Sequence, residues 1–175
     1  MNSRNILFFT SIFLFSTLFT SCGKKFTEED LRGQARQFEQ EEKYEDALKT
    51  YQEQLKRYPQ GKYADETVQK IAYIYYNNLK DFHRAIEYHQ KLISDYPQSK
   101  FISKARFMTG YIYANDIYDY DSAEAAYKEF LKHHPEDELV ESVRWELEHL
   151  GEDINEQLKD LFTNEEASAA KATSN

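Results

Sequence analysis

The sequence predicts an all-α fold, a solenoid of helical hairpins with about three repeats and a C-terminal capping helix. Two observations carry that expectation. Three stretches, YEDALKTYQEQLKRYP (44 to 59), FHRAIEYHQKLISDYP (82 to 97) and YDSAEAAYKEFLKHHP (120 to 135), repeat one pattern, with Pro59, Pro97 and Pro135 separated by 38 residues each time. Ala47, Ala85 and Ala123 keep the same step, and a fixed period of this length marks an array of stacked supersecondary units. Within each stretch an aromatic leads, Ala follows at three, a ring or His at seven, and Leu55, Ile93 or Leu131 at eleven. Those offsets keep one side of a 3.6-residue helix apolar.

The elements follow in chain order. Residues 1 to 21 read as an export signal, with Arg4 near the terminus and an apolar run from Ile6 to Phe19. As a helix those residues reach only about 21 Å, short of the ~30 Å hydrocarbon layer, so a permanent span is the weaker reading. A first helix near 28 to 42 places Ala35 one turn before Phe38. Each proline then stops a helix, because it lacks an N–H and disfavours helical geometry in the residue before it. Two residues beyond each proline stand Gly61, Ser99 and Asp137, types suited to N-caps through a side-chain oxygen or, at Gly, through water. Second helices are expected over about 62 to 78, 100 to 116 and 138 to 162. In the last, Leu147, Leu150, Ile154, Leu158 and Leu161 continue an apolar stripe that would cover the open end of the array. Residues 163 to 175 lack large apolar side chains and are expected to form a loose tail.

Composition narrows the function. The chain has 175 residues and a formal charge of −9, from 31 acidic against 22 basic side chains, so net charge draws it toward neither nucleic acid nor an anionic bilayer. Its one cysteine, Cys22, can form no intramolecular disulfide. The five histidines lack metal-binding spacing: His83 and His89 point to different sides of their helix, His133 and His134 are adjacent, and His149 belongs to no HExxH. The acidic run 115 to 124 lacks the mid-loop glycine of a calcium loop, and Asp119 or Asp121 reads better as a helix cap. There is no GxSxG, no phosphate-cradling loop and no Cys/His pair with nucleophile logic. Neither a catalytic site, a metal, a cofactor nor a small-molecule substrate is expected.

Two resemblances add to this reading. Thr20-Ser21-Cys22 after the apolar run resembles the lipobox of bacterial lipoproteins, although Phe19 stands where Leu is usual and Leu18 lies one step back. The resemblance implies cleavage before Cys22 and a lipid on its sulfur, with residues 22 to 26 as a tether; an ordinary secretory cut leaving a free thiol is the alternative. Gly23 after the cysteine, rather than Asp, implies the outer membrane by the rule of enteric bacteria. Between about 27 and 150, the small residues Ala35, Ala72 and Gly110, the rings Phe38, Tyr75 and Tyr113, the three alanines and the prolines resemble the tetratricopeptide repeat family, which with the capping helix implies a domain over 27 to 162. In that family the first helix of each pair lines a groove. The resemblance therefore implies a partner-binding surface formed by Arg32, Arg36, Gln69, Tyr73, Tyr76, Asn77, Phe107, Tyr111 and Asn115. The competing reading buries several of those tyrosines between repeats.

The joints PQGKYADE and PQSKFISKA are similar to those of the lipoprotein of the outer-membrane β-barrel assembly machinery (BamD/YfiO type) and of the periplasmic repeat protein of the Tol-Pal system (YbgF type). The expected function is a membrane-anchored protein-interaction scaffold in the bacterial envelope, facing the periplasm, with a role in outer-membrane protein assembly. A Tol-Pal or cell-division accessory is the alternative. An envelope enzyme or metal-binding protein on the same array would need a convergent set of acids, bases or ligands that the sequence does not offer.

Overall fold

The computed structural model describes residues 26–152; residues 1–25, which hold the expected export signal and Cys22, and residues 153–175 lie outside that range. Seven α-helices form three hairpins and a final helix: α1 (Glu28–Gln40), α2 (Tyr44–Arg57), α3 (Ala64–Asn77), α4 (Phe82–Asp95), α5 (Ile102–Ile112), α6 (Tyr120–His133) and α7 (Val140–Glu148). No strand occurs among the described residues. The all-α solenoid expected from the period is thus observed, with each helix packed on the next along the chain.

Local chemistry sets the starts and stops. Thr27 caps α1 in a reciprocal box with Asp30, while Asp81 and Asp119 accept from the N–H groups of Arg84 and Ser122 at the starts of α4 and α6. At the far ends, α2, α4 and α6 each stop two residues before a proline, and Tyr58, Tyr96 and His134 leave helical geometry there. The freed tyrosines then tie repeats together. Tyr58 donates to the Phe26 carbonyl at 2.8 Å, and Tyr96 to the Pro59 carbonyl at 2.8 Å.

Three expectations are corrected. Gly61, Ser99 and Asp137 are not the N-caps: those places fall two residues on, at Tyr63, Phe101 and Leu139, none of them with a side-chain cap bond. Ser99 Oγ and Asp137 Oδ1 instead accept within the preceding turn, from Phe101 and Leu139 N–H, and beside Gly61 the acceptor is Glu28, reaching across from α1 to Lys62 and Tyr63 N–H at 3.0 and 2.9 Å. The helix expected over 100 to 116 is α-helical only to Ile112, then widens into a π-helical turn, Tyr113–Ile117, that Tyr118 ends at φ 63°. The helix expected over 138 to 162 stops at Glu148, and Gly151 turns the chain at φ 81°. Ile154, Leu158, Leu161 and the tail lie outside the described residues.

The core runs the length of the array. Ala47, Ala85 and Ala123 are fully buried, with Ile71, Ile74, Leu92, Tyr127 and Phe130 around them. Small side chains here let helices approach, and the helical glycines separate this packing effect from helix propensity. A Cβ at Gly110 would lie 2.5 Å from the Tyr127 ring, whereas one at Gly33 meets nothing within 4 Å. Tyr127 is buried and its hydroxyl donates to Glu146, so it has little room to yield. Gly110→Ala is therefore expected to destabilise, the ~1–3 kcal/mol of overpacking outweighing the ~1 kcal/mol gained in helix propensity. Gly33→Ala gains the propensity alone and should melt higher than the parent. Equal melting points for the two variants would show that the Tyr127 contact is not tight.

Candidate interaction surface

The first helices of the hairpins, α1, α3 and α5, present a common face, and it is knitted by charge at one end. Arg32 and Arg36 both donate to Glu66 of α3 at 2.8 Å, and the Arg32 guanidinium lies 4.1 Å over the Tyr63 ring. Burial raises the Glu66 carboxyl, yet the two guanidiniums outweigh it and hold the group below the ordinary carboxylate range. Beside them Lys70 pairs with Glu39 at 3.4 Å, and Glu39 accepts from the buried Tyr51 hydroxyl. Arg32 and Arg36 thus bind α1 to α3, while Arg36 keeps 45% of its side-chain surface exposed.

Further along, four of the residues selected from the sequence come together. Gln69, Tyr73, Tyr76 and Asn77 of α3 line one pocket of about 270 Å³ with Lys104 and Met108 of α5 and His89 of α4. Helical spacing explains the first four, since offsets of three, four and seven return to one face. Tyr73 is 54% exposed. Tyr76 leans on Phe82, with ring centroids 5.9 Å apart, and burial together with the neighbouring Asp116 and Tyr111 pushes its hydroxyl up to about 12. It remains a hydrogen-bond donor throughout the physiological range. The base of the pocket is His89, only 5% exposed, with its Nδ1 lacking any hydrogen-bond partner. Burial and the nearby Lys104 pull its pKa down to about 4, so the ring is neutral.

The remaining selected residues continue the face onto α5. Phe107 is half-buried, 6.0 Å from Tyr111 and 6.2 Å from Tyr127, and it packs on the core of α6 and α7. Asn77 and Asn115 repeat one another, each donating from its side chain to the carbonyl four residues back at 3.2 Å. Asn115 also reaches Glu146 of α7 at 3.5 Å.

Sequence reading missed His89, Lys104 and Met108. His89 occupies the seventh place of its repeat, where Tyr51 and Tyr127 stand in the others; that position is the signal that it is a core residue rather than a surface one. Among the described residues no group of three His, Cys, Asp or Glu side chains could hold a metal. No described helix is long and apolar enough to cross a membrane.

Residues 25–112 match the YfiO family model, described as outer membrane lipoprotein. Residues 104–137 match a tetratricopeptide repeat model. No curated protein matches the chain.

Proposed function

The chain belongs to the YfiO family of outer membrane lipoproteins, and we propose that it is a lipid-anchored scaffold that holds proteins together during outer-membrane protein assembly. The observation that supports this most directly is the pocket joining Tyr73, Tyr76 and Asn77 of one repeat to Lys104 and Met108 of the next. Exposed rings give contact area at low entropic cost, and amides can bond a peptide backbone. The rings, amides and lysine of this surface are groups suited to holding a protein segment.

The anchor in this proposal is Cys22. Gly23 to Thr27 allow at most about 18 Å of extended chain before α1, which keeps the array against its membrane and favours a partner already held there. The test is photo-cross-linked pull-down from envelopes, comparing the parent with Tyr76→Ala, Tyr111→Ala and Cys22→Ala. The groove variants should lose partners while keeping their helical circular dichroism. Cys22→Ala should leave the membrane or fail to mature. An unaltered partner set in both groove variants sinks the groove, and equal membrane retention of Cys22→Ala sinks the anchor.

A further inference from the structure

The repeat supplies an internal comparison on the opposite side of the molecule, where α2, α4 and α6 lie side by side. Between α2 and α4 the Tyr75 ring is covered twice. Tyr88 stacks on it with centroids 5.6 Å apart and planes 29° from parallel, its hydroxyl accepting from Gln52 Nε2 at 3.0 Å. Arg84 lies 5.4 Å over the same ring and donates to the Tyr75 hydroxyl at 3.2 Å.

Thirty-eight residues on, the platform is kept and its cover is lost. Tyr75 recurs as Tyr113 and Gln52 as Gln90, but Tyr88 becomes Ala126 and Arg84 becomes Ser122. A pocket of about 400 Å³ stands there, lined by Gln90, Tyr113, Ser122 and Ala126 together with Arg106 and Thr109. Arg106 carries a buried Nε–H with no hydrogen-bond partner, and a buried donor left unsatisfied is costly to the fold.

We propose that this gap is a docking site for a tyrosine side chain of a partner protein, its ring seated on Tyr113 as Tyr88 is seated on Tyr75. Two features select a phenol over a plain benzyl ring. Gln90 repeats the amide that donates to the Tyr88 hydroxyl, and Arg106, whose Nε–H has no partner, lines the same gap with the Glu129 carboxylate, so a hydroxyl there meets polar groups that a plain ring cannot use. The chain's own C-terminal segment answers poorly, because among residues 153 to 175 the sole ring is Phe162, which carries no oxygen. The site lies away from the α3–α5 pocket, and its test does not depend on that surface.

The probe is 4-methylphenol, the tyrosine side chain itself, titrated into the full chain in detergent and followed through the methyl resonances of Ile93, Thr109, Ala125 and Ala126. Saturable shifts at these methyls are expected, weaker with toluene and weaker in Gln90→Ala. Ala126→Tyr should abolish them and raise the thermal midpoint on the order of 5 °C, since the ring then fits from within. Tyr88→Ala should open a second site for the probe beside Tyr75. Absence of saturable shifts in the parent overturns the proposal, and so does equal binding of toluene and 4-methylphenol. Binding seen only after Phe162→Ala would assign the gap to the chain's own tail, and the partner tyrosine would be rejected. If Ala126→Tyr fails to fold, the parent, Gln90→Ala and toluene titrations still decide.

Discussion

Replacing Glu28 by Ala is expected to cost about 2–4 kcal/mol of stability, read as a fall in thermal midpoint of roughly 8–16 °C. The side chain is almost buried, and one carboxylate serves three donors: Lys62 N–H, Tyr63 N–H and, at 3.3 Å, the buried Gln54 amide. Its removal leaves the Lys62 and Tyr63 N–H groups, just ahead of α3, without acceptors at a place where the helix has no side-chain cap. Gly61 is the other half of the same device. A Cβ there would lie 2.2 Å from Glu28 Oε1, so Gly61→Ala must expel the carboxylate and lose the same bonds. The two substitutions should therefore be far from additive, the double variant melting close to Glu28→Ala alone. Additive losses would show that the residues act separately, and a midpoint within about 2 °C of the parent for Glu28→Ala would remove the cap from the account.

The same device explains what could and could not be read from the chain. The period of 38, the buried alanines and the aspartate caps are local or periodic, so they stand in the sequence itself. Glu28 acts on residues 34 and 35 places away, and a single sequence holds no mark of that contact beyond a glycine where its neighbours have Ser99 and Asp137. Asp65 does a related task one repeat on, accepting from Ser99 Oγ at 2.7 Å. The hairpin turns were hidden for a different reason. Glu42, Lys80 and Tyr118, again 38 apart, take φ of 56°, 55° and 63°, a left-handed region that would ordinarily be announced by Gly or Asn. On the face shared by α3 and α5, spacing gathers Gln69, Tyr73, Tyr76 and Asn77, which line one pocket. It could not show that Arg32 and Arg36 are held by Glu66, since that ion pair joins two repeats across 30 to 34 residues.

Acidification should weaken the fold through His89, and the direction follows from its burial. An ordinary histidine takes its proton near 6.5, but within the folded chain this ring resists protonation down to about 4. As pH falls from 6.5 toward 4, the unfolded chain gains a proton that the folded chain refuses, so stability declines through that window, by about 3 kcal/mol in all. Lys104 adds to the effect by placing a second positive charge beside the ring. Chemical denaturation of the parent and of His89→Gln at pH 7.5, 6.0 and 5.0 isolates the term, because the carboxylates that also titrate are common to both proteins. The variant should start less stable at pH 7.5, having traded a fitted ring for an amide in a buried site, and then lose less on acidification. Parallel slopes for the two proteins would mean that His89 finds a proton-accepting partner when charged.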